Sequence, residues 1–318
     1  MKNSVSVIIP VYNCERFVAK AIESALVQPE VTEVVVVDDG SQDASLAICK
    51  ALQLQDSRIK IFQHPNGVNK GRSASRNLAL QNATGNYIAF LDADDYYLEN
   101  RFINDFLIFQ SNENCEGVYN AIGTHFYRIA TKLERETHNL FTINQHIVPE
   151  LLFDALLTGK YGHFSIDGLT VKREVFKAVG YLNENLVVAE DTELIWKMAI
   201  KCNLFAGIIS NAVAIRGVHE ENVFDDTALY KRNTLKMLVS LLVWCANNNV
   251  EFSVYDKILN VIWINKEKQK KTLLQNTYFW GELFLPNKAL LFSIFAIKYF
   301  PVIRFRQSLF PFLYKNNH

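Results

Sequence analysis

Short apolar runs alternate with amphipathic stretches over the first hundred residues. Val5 to Ile9 is a β-branched run ending at Pro10 and predicts a buried strand. Val11-Tyr12-Asn13 follows as a loop, with Asn13 placed to cap a helix. Phe17, Val18, Ala21, Ile22, Ala25 and Leu26 then recur at helical spacing on one face. Val34 to Val37 predicts a second strand, stopped by Asp38-Asp39-Gly40-Ser41, and Ala44 to Leu54 a second helix. Ile59, Ile61 and Phe62 predict a third strand, followed by a basic loop rich in Gly and Asn from Asn66 to Arg72. Ser73 to Gln81 predicts a helix broken at Gly85, and Tyr87 to Leu91 a fourth strand. This alternation has the spacing of βαβ units and predicts a mainly parallel sheet wound with helices.

Beyond residue 100 the pattern loosens. Phe102 to Phe109 and Pro149 to Thr158 predict helices, Gly117 to Ile129 strands, and the polar stretch Lys132 to Asn139 a loop. Gly168 to Val171 predicts a strand and Arg173 to Ala178 a short helix ending near Gly180. Leu194, Ile195, Met198 and Ala199 share one face of a further helix. Leu235, Leu238, Leu241 and Leu242 predict a buried helix in the tail.

The chemistry gathers where apolar runs end in carboxylates. Asp38-Asp39 and Asp92-Ala93-Asp94-Asp95 each follow a buried run, so both fall at strand ends along one edge of the sheet, where open α/β sheets bind ligands. Carboxylate oxygens suit Mg²⁺ or Mn²⁺, and such ions bridge protein carboxylates to phosphates. An acidic surface turn is the rival reading, since Asp favours turns. Lys70 and Arg72 lead into a helix beside these turns, which suits a diphosphate. No Gly-rich dinucleotide fingerprint or P-loop signature occurs.

Composition narrows the class further. The chain has 318 residues, 33 basic and 33 acidic, so no overall charge favours nucleic acid. Its five cysteines are scattered without paired spacing, which argues against a disulfide framework or a thiolate zinc site. No signal peptide and no run of membrane-spanning length is legible.

Four motifs in order carry a family resemblance: Val7-Ile8-Ile9-Pro10-Val11-Tyr12-Asn13, Val37-Asp38-Asp39-Gly40-Ser41, Asn69-Lys70-Gly71-Arg72-Ser73-Ala74-Ser75-Arg76-Asn77 and Leu91-Asp92-Ala93-Asp94-Asp95. Together they closely resemble the family 2 glycosyltransferases, inverting enzymes with the A-type glycosyltransferase fold. Ser75 stands where that family more often has Ala. The resemblance implies an α/β, Rossmann-like fold with a mainly parallel sheet flanked by helices and a C-terminal helical extension. It implies a nucleotide-sugar half over residues 1–115, an acceptor half over 116–225 and the extension over 226–318.

Carried over by position, it places Pro10 and Tyr12 against a base, with Asp39 accepting a hydrogen bond from that base. Lys70 or Arg72 would approach base or phosphate, Asp92 the ribose side, and Asp94 a Mg²⁺ or Mn²⁺ ion. Phe176 to Glu184 and Ala189-Glu190-Asp191-Thr192-Glu193-Leu194 resemble the segments around the family's catalytic acidic pair. Asp191 is then the candidate general base, which an inverting transfer needs on the acceptor side. Its rival role is as a helix cap. Ile215 to Val223 resembles a loop whose His219 can approach metal or diphosphate, with a structural histidine as the alternative. Arg76 and Asn77 read as packing or supporting residues, and His163 is a guess for the acceptor side.

The implied donor is a nucleotide diphosphate sugar, with UDP-sugar expected, and the implied acceptor a saccharide or lipid-linked hydroxyl in bacterial surface polysaccharide synthesis. A non-catalytic sugar-nucleotide or glycan binding module on the same fold is the alternative. A nucleotidyltransferase is a further rival, which the missing Gly-rich N-terminal loop disfavours. The expected location is cytoplasmic, with peripheral contact at the inner face of the membrane. The basic cluster Lys266 to Lys271 reads as a solvated helix face. After Glu282 the tail carries five Lys or Arg, no acid and many aromatics. That end suits an anionic membrane surface, packing on the catalytic domain or a homodimer contact alike.

Overall fold

In a computed structural model, residues 3–137, 140–220, 227–267, 272–304 and 306–309 are described. The chain divides into two units, Met1–Tyr230 and Lys231–His318.

In the first unit the elements run β1 (Val5–Val11), α1 (Val18–Leu26), β2 (Val31–Asp38), α2 (Ser45–Gln55), β3 (Ile59–Gln63), α3 (Arg72–Asn82) and β4 (Tyr87–Phe90). They continue through β5 (Tyr96–Tyr97), α4 (Ile103–Ser111), β6 (Gly117–Tyr119), β7 (Ile122–Phe126), α5 (Lys132–Thr137) and β8 (Leu140–Phe141). The unit then runs α6 (Pro149–Thr158), β9 (Leu169–Lys172), α7 (Val175–Val179), α8 (Glu190–Lys201), β10 (Leu204–Ala206) and β11 (Ala214–Val218).

A seven-stranded sheet has the order β10-β6-β9-β4-β1-β2-β3. Strands β4, β1, β2 and β3 are parallel, as are β10 and β6, while β9 runs antiparallel to β4 and β6. The expected mainly parallel α/β architecture is therefore present. Both faces of the sheet are covered, so its strands are apolar almost throughout: Val34 to Val37 are 0% exposed. β1 continues through Pro10 although proline offers no N–H. Ser4 and Ile8 direct their carbonyls to the β4 side, Val11 to β2, so alternation turns Pro10 toward β4. Pairing with β4 ends at Ile8, so the missing donor costs the ladder nothing.

A second sheet has the order β5-β11-β7-β8. Its strand β11 pairs parallel with β7 and antiparallel with β5, so residues 214–215 lie directly beside the segment that follows the acidic turn.

Three local expectations are corrected. Asn13 does not cap α1: it sits at φ 50, and its Oδ1 accepts the N–H of Gln42. α1 begins at Val18, behind Phe17 with no side-chain cap. The stretch Lys132 to Asn139 is not all loop, because α5 occupies Lys132–Thr137. Thr131 and Glu134 form a reciprocal capping pair there, Glu134 N–H to Thr131 Oγ1 at 3.2 Å and Thr131 N–H to Glu134 Oε2 at 2.8 Å. Residues 138–139 lie outside the described residues. Finally, Ile215 to Val218 belong to strand β11 rather than a loop, and 221–223 lie outside the described residues.

The second unit consists of helices, entered through α9 (Thr227–Asn247), within which the division falls. Then follow α10 (Phe252–Glu267), α11 (Leu273–Phe284), α12 (Lys288–Leu291), α13 (Ile294–Lys298), α14 (Pro301–Arg304) and α15 (Arg306–Leu309). Leu238, Leu241 and Leu242 of α9 are buried, with Leu235 half-buried. Two tail cations are used inside the unit: Lys298 pairs with Asp256 at 2.7 Å and Arg304 donates to Asn260 at 3.0 Å. Tyr255 and Phe295 stack with centroids 5.9 Å apart. Residues 268–271 lie outside the described residues, as do the side chains of 265–267, and with them the basic cluster. Among the described residues no helix is long and apolar enough to cross a membrane.

Candidate active site

The acidic turn is built by β4 and held from three sides. Leu91 N–H still bonds to Ile8 in β1, and Asp95 N–H closes the turn on the Asp92 carbonyl at 3.0 Å. Asp92 N–H donates to Asp167 Oδ1 at 3.1 Å. Asp95 Oδ1 accepts Gly217 N–H of β11 at 2.8 Å. Gly217 permits this approach, since a Cβ there would lie 2.2 Å from the Asp94 carbonyl oxygen. One step beyond β11, His219 Nε2 meets Asp94 Oδ2 at 3.0 Å, and its ring stacks on Phe17.

Three carboxylates of this corner behave differently. One third of the Asp92 side chain is open to solvent (34%). Burial alone would push its carboxyl up, but Arg76 and Arg72 outweigh that and hold it below the usual range. Asp95 is buried, and that burial, together with Asp167 and Asp94, pushes it well above the usual range. Burial and Asp92 push Asp167 up to about 6, against the opposing Arg216. Burial disfavours charge on Arg216 as well, but Asp95, Asp167 and Asp92 outweigh it, so the guanidinium stays charged. Oxygens of Asp92, Asp95 and Asp167 come within 4.8 Å of one another, a grouping compatible in principle with a cation. Arg76 and Arg216 already supply positive charge to it.

Asp167 is itself fixed from below by a buried network. Arg101 bonds Asp105 at 2.8 Å, Thr170 at 3.3 Å and the Asp167 carbonyl at 3.4 Å. Asn120 and Thr170 both donate to Asp105. This network joins the start of α4 to β6, β9 and the turn that carries Asp167.

α3 links the donor side to the base candidate. Arg76, 1% exposed, bonds Asp92 through Nη2 and Glu190 through Nη1, the latter at 2.8 Å. Asn77 donates to the Leu182 carbonyl and to Glu184, and accepts the Leu182 N–H. One helix thus grips both the acidic turn and the segment leading into α8. Burial and the neighbouring Asp191 push the Glu190 carboxyl up, against Arg76. Asp191 lies in the first turn of α8, behind Ala189 at φ 65, and Ala189 rather than Asp191 occupies the N-cap position. Asp191 Oδ1 accepts the Thr192 N–H at 2.6 Å.

The other expected residues fall as follows. Pro10 is half-buried in β1, and Tyr12, just past that strand, is 47% exposed rather than packed. Lys70 is exposed, and Arg72 opens α3 with Nε 3.7 Å from Glu190. Asp39 is 3% exposed, and its two oxygens accept the N–H groups of Lys70 at 2.7 Å and Gly71 at 2.8 Å. His163 lies against Gly159, at the end of α6, and burial lowers its pKa. A cleft of about 420 Å³ adjoins His219, with Cys14, Arg16, Phe17 and Asp43 in its lining. All five cysteines are free. Burial and Asp94 push the Cys14 thiol up to about 12, so it is no ready nucleophile.

Sequence reasoning left out Arg76, Glu190, Asp95, Asp167 and Arg216. Arg76 and Glu190 stand inside quoted motifs, and Asp95 inside the acidic run. Asp167 and Arg216 carry no local signal, because Asp167 meets the Asp92 N–H 75 residues away and Arg216 meets Ser165 51 residues away.

The sequence model of the family described as Glycosyl transferase family 2 matches residues 6–180. An uncharacterized glycosyltransferase of Haemophilus influenzae is 33% identical over 180 residues, 56% of this chain and 66% of that protein. The minor teichoic acid biosynthesis protein GgaA of Bacillus subtilis is 26% identical over 242 residues, 74% of this chain and 52% of that protein. The chain thus spans less than two thirds or so of the curated relatives it matches. The crystal structure of S. aureus TarS 1-349 in complex with UDP-GlcNAc superposes with a TM-score of 0.65 at 20% identity, covering 96% of this chain and 92% of that one.

Proposed function

This chain belongs to glycosyl transferase family 2, and on that premise we propose that it moves a sugar from a UDP-sugar to a hydroxyl of a saccharide or lipid-linked acceptor with inversion. The product would be part of a bacterial surface polysaccharide, in keeping with the teichoic acid role that the GgaA name gives. The observation that carries this reading is the Arg76 bridge between Asp92 and Glu190. It draws the acidic turn and the base candidate, nearly a hundred residues apart, to one crevice at the strand ends. UDP as carrier is supported by the UDP-GlcNAc bound in the TarS structure and by the exposed Tyr12 ring, which offers a stacking face.

A Mg²⁺ or Mn²⁺ ion fits the pair Asp94 and His219. Neighbouring ligands at 2.0–2.1 Å around an octahedral ion stand about 3 Å apart, the separation of Asp94 Oδ2 and His219 Nε2 being 3.0 Å. A carboxylate oxygen with an imidazole nitrogen is a donor set suited to Mn²⁺. Such an ion, when bound, supplies charge neutralisation for the departing diphosphate. The protein groups do the rest. Arg72 and Lys70 approach the diphosphate, and the first N–H groups of α3 point at an anion placed there. Asp191 takes the acceptor hydroxyl proton as the oxygen attacks. Glu190, neutralised by Arg76, fixes the start of α8 and hence the place of Asp191.

The test is UDP binding and turnover in the full chain. UDP should raise the melting temperature more with Mn²⁺ than without, since a ligand of the folded state adds about 2.7 kcal/mol at a hundredfold excess over its Kd. Asp191→Asn should keep that shift and lose transfer by at least about 100-fold. Near-normal turnover in this variant removes Asp191 from the mechanism. A normal UDP shift with no transfer in the wild type, across a panel of UDP-sugars and acceptors, would favour a binding module.

A further inference from the structure

Helix α1 buries Val18, Ala21, Ile22 and Ala25 in the core of the sheet, but among the described residues that core does not include Phe17, the residue before its first turn. Phe17 packs on the acidic corner instead. Its ring stacks on His219 with centroids 4.9 Å apart and planes 23° from parallel, and it meets Tyr127 at 4.8 Å. Phe17 and His219 are each only 9% exposed. Tyr127 N–H donates to the Val218 carbonyl at 2.8 Å, which ties the second ring to the residue before His219. Lys20, one turn along α1, braces Tyr127: its Nζ lies 3.4 Å from the Tyr127 hydroxyl and 3.3 Å from the centroid of Tyr96.

The turn that presents Phe17 is itself held. Cys14 N–H donates to Ser45 Oγ at 2.8 Å and Glu15 N–H to Asp43 Oδ2 at 3.0 Å, while Glu15 Oε2 accepts the Ala44 N–H at 2.8 Å. Phe17 N–H closes the turn on the Cys14 carbonyl at 2.9 Å.

We propose that Phe17 is a positioning residue for the metal ligand, its ring fixing the plane of the His219 imidazole so that Nε2 faces the ion shared with Asp94. The inference rests on the metal reading given above and deepens it. A histidine ring turns about its Cβ–Cγ bond in a broad, roughly two-fold well. The contact of Nε2 with Asp94 fixes one point of the ring and leaves its tilt open. The tilt matters, because the ligating lone pair lies in the ring plane and a productive ligand is held to within about 10–20°. Groups that orient a ligating histidine are worth about 10–100-fold in metal affinity. The stack with Phe17 supplies that orientation, and the bonds behind Phe17 keep its ring from turning with the imidazole.

Two variants of the full chain test this. Phe17→Leu keeps an apolar side chain and removes the ring, whereas Phe17→Tyr keeps the ring. In metal-free protein, NMR of the histidine side chains reads the stack directly. The His219 ring protons, lying over the face of Phe17, should be shifted upfield in the wild type and in Phe17→Tyr, and should lose that shift in Phe17→Leu. Mn²⁺ affinity without nucleotide, read from the electron paramagnetic resonance of the free ion, should fall about tenfold in Phe17→Leu and less than about twofold in Phe17→Tyr. Uridine has no phosphate to meet an ion, and in the absence of metal it should bind both variants as it binds the wild type. Unchanged Mn²⁺ affinity in Phe17→Leu overturns the proposal, as do His219 protons that do not move. So does an equal loss in Phe17→Tyr, which would make the effect one of packing rather than of the ring. A parallel loss of uridine affinity in Phe17→Leu overturns it too, since the turn would then have lost its shape as a whole. Should the wild type bind no Mn²⁺ with or without UDP, the metal reading fails, and the imidazole shifts still decide whether Phe17 holds His219.

Discussion

Arg76 is the residue whose removal should be felt most widely. It is buried between Asp92 and Glu190, and without it the buried Glu190 keeps only the more distant Arg72 as a neighbouring cation. Arg76→Met is expected to destabilise the chain by about 3–5 kcal/mol, read from denaturant unfolding, and to abolish transfer. A loss below about 1 kcal/mol would mean that the pair relaxes into solvent. Asp167 makes a prediction in pH. Its folded pKa of about 6 lies above its ordinary 3.8, so the folded chain holds this proton more tightly than the unfolded one. Its contribution is full below the unfolded value and is lost as pH rises through about 6. Asp167→Asn, which mimics the protonated form, should therefore flatten the fall in melting temperature over that window. An unchanged slope would locate the proton elsewhere. At this scale the sequence is legible where chemistry follows an apolar run: Asp39, Asp92 and Asp94 stand out as carboxylates ending strands. Asp167 and Arg216 do not, because only the folded sheet brings them to the turn.

At the scale of elements, β11 matters through its closeness to the acidic turn. Gly217→Ala would set a methyl 2.2 Å from the Asp94 carbonyl oxygen and 2.9 Å from the Tyr127 ring. The strand and the turn must part, at about 1–3 kcal/mol, and His219 moves from Asp94 with them. Reduced Mn²⁺ affinity together with a lower melting temperature is expected, and unaltered metal binding would show that the two can separate freely. The long parallel strands were readable because burial on both faces makes them continuous apolar runs. β5, β8 and β10 were not, having only two or three residues each and no periodicity to detect. α5 escapes the sequence pattern for another reason. Its polar surface hides the helical stripe, yet the Thr131–Glu134 pair that starts it is a sequence signal.

At the scale of the whole molecule, the first unit links two acidic strand ends, the start of α3 and the start of α8 through Asp39, Arg72 and Arg76. Parallel β1, β2 and β4 deliver the donor-side groups to one sheet edge, and the antiparallel β9, set between β4 and β6, brings Asp167 to the same edge. The first four strands and their parallel run follow from the sequence, but not their order in the sheet. Nor does the insertion of β9 beside β4, since a strand that returns antiparallel after 80 residues leaves no local trace. In the helical second unit, tail cations answer internal carboxylate and amide groups. The Lys298–Asp256 pair joins α13 to α10. We propose that a divalent ion held by Asp94 and His219 receives the diphosphate of a UDP-sugar. The most direct measurement is a crystal structure of the full chain with Mn²⁺ and UDP, using the anomalous signal of manganese. The account predicts a manganese peak bonded to Asp94 and His219, with the diphosphate beside it and uracil against Tyr12. A peak at Asp92, Asp95 and Asp167 instead, or UDP bound away from this corner, would contradict it.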